Sequence, residues 1–139
     1  MSSIFQLHER LAADTVPVTV GPLSQILLMT DANFPWLVLV PQRPDLRDFH
    51  DLDAGDLTLA TQEIVAASRV LEDNLRPDKI NVAALGNQVP QLHIHVIARF
   101  HDDPAWPKPV WGVLPPKAYE PAELDTRVKA FQTAFAEGL

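Results

Sequence analysis

Apolar and polar positions change period several times along the chain, and each change marks an element. Ile4, Leu7, His8 and Leu11 recur at helical spacing, with Ser3 and Gln6 placed as a capping box, so a first helix is expected from Ser3 to about Asp14. Three short apolar runs follow, 16-VPVTV-20, 24-SQILLMT-30 and 36-WLVLV-40, separated by Gly21-Pro22 and by 31-DANFP-35. Gly, Pro, Asn and Asp are turn residues, and short turns join antiparallel neighbours, so these runs read as a meander. Beyond the loop 41-PQRPDLRDFHDL-52, Asp53 can cap a long helix whose apolar stripe is Leu57, Ala60, Ile64, Ala67, Leu71 and Leu75. Pro77 marks its end. Two further strands are expected, 79-KINVAALG-86 and 91-QLHIHVIARF-100, joined by a tight turn from Asn87 to Pro90. Residues 101–120 hold too much proline for a helix or a central strand, and two tryptophans mark them as an ordered strap across a surface, of this chain or of a partner subunit. Pro121 opens a last helix over 121–137, with Leu124, Val128, Phe131 and Phe135 on one side and Gly138 after it.

This order defines an α+β fold. A mostly antiparallel five-stranded sheet carries a long helix after strand three and N- and C-terminal helices, packed on one face. With no internal repeat or low-complexity tract, residues 1–139 are expected to form a single domain, large enough for its own core. Composition narrows the chemistry. There is no Cys, which removes disulfides and thiolate ligands and leaves imidazoles, carboxylates, hydroxyls and amides. A net charge of -7 with no basic stripe argues against a nucleic-acid partner, although backbone N–H groups and imidazoles can still hold a small phosphorylated ligand. The start, MSSIFQLHERLAAD, lacks a basic region followed by an apolar one, and no apolar run approaches the roughly 20 residues that span a bilayer. A soluble, cytoplasmic protein with no membrane partner is the expectation.

The candidate chemistry lies in 91-QLHIHVIARF-100. Side chains alternate on a strand, so Gln91, His93 and His95 share one face, roughly 6.5–7 Å apart along it, while Leu92, Ile94 and Val96 supply the core. Imidazole titrates near neutrality and can serve as nucleophile or hydrogen-bond donor. Three uses fit the pair: two polar residues on a solvated strand, a metal site completed by His101, His50 or an Asp, or a site that handles phosphate. Pattern alone does not separate them.

The stretch 86-GNQVPQLHIHVIARF-100 resembles the motif of the histidine triad (HIT) family, His-φ-His-φ-His-φ-φ with φ apolar, preceded by a Gly and a polar turn. Upstream, 37-LVLVPQRPDLRDFHDL-52 is similar to another block of that family, and 102-DDPAWPKPVW-111 resembles a segment of a bacterial branch. These blocks run in the family's order over most of residues 24–111.

The resemblance implies that His93, the middle position, attacks the α-phosphorus of a nucleoside phosphoramidate or dinucleoside polyphosphate, forming a nucleotidyl-histidine that water then hydrolyses. It implies that His95 contacts phosphate oxygens and assists the leaving group. It also implies that the main-chain carbonyl of position 91 holds the Nδ1–H of His93. The first triad histidine is Gln91 here, which hydrogen-bonds but carries no proton at physiological pH. A second departure is Trp36 after Pro35, where many members have a histidine. Asp31 corresponds to a ribose contact, Asn87 and Gln88 to the turn that closes on the phosphates, and Asn81 to a weaker candidate on the same side. The implied chemistry uses no metal and no cofactor, the partner is a small nucleotide, and a homodimer is expected. A nucleotide-binding scaffold with little turnover is the alternative. His8 is expected to be structural, His50 and His101 to lie on the surface, and Trp106 and Trp111 to serve in packing.

Overall fold

A computed structural model describes residues 4–139. Strands β1 (Thr15–Val20), β2 (Ser24–Met29), β3 (Trp36–Pro41), β4 (Lys79–Ala83) and β5 (Ile94–Arg99) form one sheet in the order β1-β2-β3-β5-β4. All its neighbours are antiparallel. The first three strands are the expected meander. The long helix α2 (Ala54–Leu75) then carries the chain to the far edge, and β5 returns between β3 and β4. The strand bearing His95 is therefore central.

Alternation along β3 and β5 divides the core into two layers. Leu37, Leu39, Ile94, Val96 and Ala98 face α2 and the C-terminal helix α3 (Pro121–Gly138), meeting Ala67, Leu71, Phe131 and Phe135. Trp36, Val38, Val40 and Ile97 face the other way. That second face is covered by Leu11 of the short helix α1 (Glu9–Asp14) and by Ala105 and Val110 of the strap 101–120. The expectation of three helices on one face is thus corrected: α1 and the strap share the opposite face. With its apolar side chains against this chain's own sheet, the strap closes, with α1, a layer that α2 and α3 do not reach.

Three element boundaries also differ. The first helix begins at Glu9, not Ser3; Ile4 is exposed and His8 is the N-cap, its Nδ1 accepting from the Arg10 N–H at 3.1 Å. Ser3 lies outside the described residues, so the capping box cannot be placed, and the spacing that looked helical over residues 4–8 belongs to a non-helical segment held from outside by Gln91. The β4–β5 ladder ends at Ala83 opposite His95, so residues 84–93 form a long loop rather than a turn over 87–90. Leu92 donates its N–H to Leu46 O at 3.0 Å instead of to a neighbouring strand, and Gly86 bends the loop with φ +70, a conformation that costs glycine nothing. The last helix runs on through Gly138.

Carboxylates fasten the connections. Asp53 caps α2 through the Asp56 N–H at 2.8 Å, as its position predicts. Within α2, Glu63 is buried and its Oε2 accepts from the N–H groups of Leu23 and Ser24, tying the helix to the β1–β2 turn. Arg99, buried at the end of β5, donates to both Asp103 oxygens at 2.7 and 3.0 Å and to Asn81 Oδ1 at 2.9 Å. Its guanidinium lies 5.6 Å from the Phe34 ring centroid and 5.7 Å from that of Trp106.

Candidate active site

His93 sits in the loop just before β5 and His95 is its second residue; the ring centroids are 4.8 Å apart and the planes nearly perpendicular, at 78°. His93 Nδ1 lies 2.7 Å from the main-chain carbonyl of Gln91. A carbonyl only accepts, so Nδ1 carries the hydrogen and the lone pair of the neutral ring falls on Nε2. His93 is only 6% exposed, yet Nε2 is not among the sealed, unpartnered polar atoms of the described residues. His93 lines a cavity of about 240 Å³ together with Arg47, Phe49, His50, Ala84, Leu85 and Gly86. A larger groove of about 720 Å³ lies between α2 and α3, lined by Val65, Arg69, Asp73 and Phe135 among others. It contains no imidazole, so the smaller cavity is the one that can do chemistry.

His95 is held differently. The β3–β5 register sets Val38 opposite His95 and Trp36 opposite Ile97, so Trp36 and His95 are diagonal neighbours on one face, within reach of large side chains. The indole N–H of Trp36 donates to His95 Nδ1 at 2.9 Å, and Trp111 of the strap packs edge-on with its centroid 5.0 Å from the imidazole. Burial first, and the neighbouring His93 second, push the pKa of His95 down to about 3.

That shift predicts acid sensitivity. Above the unfolded value of 6.5 His95 is neutral in both states; below it the unfolded chain takes a proton that the folded chain refuses, so stability falls as pH drops from 6.5 toward about 3. The expected loss is on the order of 1.4 kcal/mol per pH unit. Asp103 does not produce this limb. Burial opposes its ionisation, but Arg99 and the N–H groups of Phe100, Ala105 and Trp106 outweigh that and hold its carboxyl at about 2, so its contribution fades only below 3.8. Urea unfolding at pH 7 and pH 4.5 checks the prediction: the His95→Asn variant should lose the slope, and an unchanged slope would assign it elsewhere.

The structure places the other candidates as follows. The Gln91 side chain does not turn toward the two imidazoles: Oε1 accepts from the His8 N–H and Nε2 donates to Gln6 O, both at 2.8 Å. Its side chain fastens the N-terminal segment and its main chain fastens His93. Asn81 Oδ1 accepts from Arg99 Nη1 at 2.9 Å, and the β4–β5 register keeps Asn81 on the face of His95. Asp31 Oδ1 accepts from Asn33 N–H at 3.0 Å and Lys117 N–H at 3.1 Å, tying the strap to the β2–β3 turn. Asn87 and Gln88 are exposed on the loop that follows Gly86. His101 is exposed beside Asp78 and Trp106, as expected of a surface residue. His50 is exposed too, but the cavity brings it beside His93. Among the described residues, no group of three His, Asp or Glu side chains is arranged to hold a metal ion, and no helix is long and apolar enough to cross a membrane.

Sequence reasoning passed over Arg47, Phe49 and His50 as cavity residues, and Trp111 as a neighbour of His95. Their signal depends on strand order, since β5 must lie beside β3 before a loop after β3 can face His93.

An antiparallel sheet with two imidazoles in contact at the start of its central strand, one of them lining a small cleft, defines an α+β domain with a histidine-bearing site. A HIT domain model matches residues 11–102, and the chain belongs to the HIT family. It is similar to solved histidine triad proteins from Bradyrhizobium japonicum (45% identity, 95% of this chain and 98% of that one, TM-score 0.93) and Marinobacter aquaeolei (41%, 99% and 100%, 0.95). A third, from Sinorhizobium meliloti, is 40% identical over 97% of each chain with a TM-score of 0.90. No curated protein matches the chain.

Proposed function

We propose that this chain is a nucleotidyl hydrolase or transferase acting on a nucleoside phosphoramidate or dinucleoside polyphosphate through a covalent nucleotidyl-His93. The observation that carries the reading is the 2.7 Å contact between His93 Nδ1 and Gln91 O, which leaves the lone pair on Nε2 of a ring that lines the cavity. In the first step Nε2 bonds to the α-phosphorus while the bond to the leaving group breaks, its electron pair departing with that group. In the second, water bonds to phosphorus and the P–N pair returns to Nε2, releasing the nucleoside monophosphate. His95, holding its proton on Nε2, donates to a non-bridging oxygen where charge builds up. The exposed turn at Asn87 and Gln88 closes on the phosphates, and Asp31 meets the ribose through Oδ2, because Oδ1 is occupied. Arg47 and Phe49 line the approach. A homodimer and a small nucleotide partner belong to the same proposal.

A nucleotide-binding scaffold with little turnover is the second reading, favoured by one observation. The amide at position 91 is fastened to residues 6 and 8, so no side chain of the first triad position reaches the phosphorus. Turnover of an adenosine phosphoramidate and a diadenosine polyphosphate, each with and without chelator, separates the readings. Activity undiminished by chelator is expected; binding without turnover supports the scaffold, and activity that returns only with metal contradicts both.

A further inference from the structure

The two departures at 36 and 91 act together on one quantity, the number of protons the site can deliver. The Trp36 indole N–H points at His95 Nδ1 from 2.9 Å, and an indole nitrogen has no acceptor capacity. A proton added to that Nδ1 would face another donor, in a position only 5% exposed and 4.8 Å from a second imidazole. His95 therefore keeps a single proton, on Nε2. It can donate a hydrogen bond through that proton, but surrendering it would leave an imidazolate.

The other groups around the cleft do not fill the gap. Gln91 is not ionisable and its amide is engaged with Gln6 and His8. The His93 Nδ1–H is held by Gln91 O, and its Nε2 is the nucleophile. Arg47 and Asp48, also on the rim, bring a guanidinium and a carboxyl group and no imidazole. His50 is the remaining imidazole at the cavity; its side chain is 85% exposed on the 3₁₀ turn Phe49–Asp51, with Nε2 3.9 Å from Asp51 and no hydrogen bond among the described residues to aim the ring, so it is not positioned as a general acid.

We infer that Trp36 is a positioning residue that holds His95 as a fixed neutral donor, and that the site consequently favours nucleotides linked through a phosphoanhydride over those linked through a P–N bond. The inference rests on His93 being the nucleophile. When Nε2 forms its bond to phosphorus and a bridging P–O bond breaks, the electron pair leaves on a phosphate oxygen that is stable as an anion and needs no proton. Breaking a P–N bond the same way would expel an amine anion unless a proton arrived first, and neither Gln91 nor a singly protonated His95 provides one.

Two measurements test this on the full-length protein. Imidazole ¹⁵N NMR of the wild type should show His95 protonated on Nε2 and unprotonated on Nδ1 from about pH 8 to about pH 5, well inside the range where an unperturbed ring would titrate. In Trp36→Phe, which keeps an aromatic ring but removes the donor, the two tautomers should mix and His95 should begin to titrate. In the wild type, kcat/KM for a diadenosine polyphosphate should exceed that for an adenosine phosphoramidate by about a hundredfold, the low end of what a missing general acid costs. That ratio should narrow in Trp36→Phe. Should the variant not fold, the wild-type tautomer and the wild-type ratio still decide. A proton on His95 Nδ1 in the wild type, or equal or faster use of the phosphoramidate with a His93 adduct formed, overturns the inference and leaves the nucleophile standing. No His93 adduct from either donor removes the underlying reading, and the inference with it.

Discussion

Replacing His93 by alanine lowers kcat/KM for nucleotidyl transfer by roughly 10³-fold or more, because the covalent route is closed and no other side chain is placed to open it. The nearest imidazole cannot take over. His95 has its Nδ1 lone pair engaged by the Trp36 N–H and its Nε2 bearing the proton, so neither nitrogen offers electrons to phosphorus. His95→Asn removes the Nε2–H donor but leaves the nucleophile, and should cost less, about 10²-fold, the scale of one lost transition-state hydrogen bond. Since His93 is buried, circular dichroism and a melting curve must accompany the kinetics. Turnover in a folded His93→Ala protein equal to wild type would show that the reaction takes another path.

Arg99→Met lowers the free energy of unfolding by about 3–5 kcal/mol, the usual cost of removing one partner from a buried ion pair. The pair is well enclosed, with side-chain exposures of 2% for Arg99 and 5% for Asp103. Methionine fills part of the volume but leaves the Asn81 carbonyl and the Asp103 carboxylate short of a donor and gives up the guanidinium contacts with Phe34 and Trp106. For a chain of this length the melting temperature should fall by roughly 10–15 °C. Urea titration gives the free energy directly, and a loss below about 1 kcal/mol would mean that the strap is held by its other contacts, apolar and hydrogen-bonded. Ala105 and Val110 ride on the strap that this pair anchors, and so does Trp111 beside His95, so the same variant should also loosen the site.

Local chemistry made much of this fold readable in one dimension. Strand periodicity, the Gly-Pro and Asp-Ala-Asn turns, Asp53 as a helix cap and Pro121 as a helix opener each act within a few residues, and each element they mark is present. Misread features depend on distant partners. Residues 4–8 carry helical spacing, yet their backbone is held by the Gln91 amide, 85 positions away from Gln6. The placement of α1 opposite α2 and α3 follows from what remains uncovered once the sheet is built. At the site, the sequence pattern puts His93 and His95 on one face, and their rings do meet. It does not reveal that Asn81 is claimed by Arg99, because the β4 register must be known before Asn81 and Arg99 become neighbours. Nor does it reveal that Trp36 donates to His95, since the two are 59 residues apart and become diagonal neighbours only through the β3–β5 ladder.

The most direct measurement is to incubate the protein with a nucleotide donor, quench it in conditions that preserve a phosphorus–nitrogen bond, and map the mass increment by peptide mass spectrometry. One nucleoside monophosphate on His93, lost in His93→Ala, is the predicted result. An unmodified wild-type chain that nonetheless turns the donor over, or a nucleotidyl group on a different residue, would contradict the role given to His93.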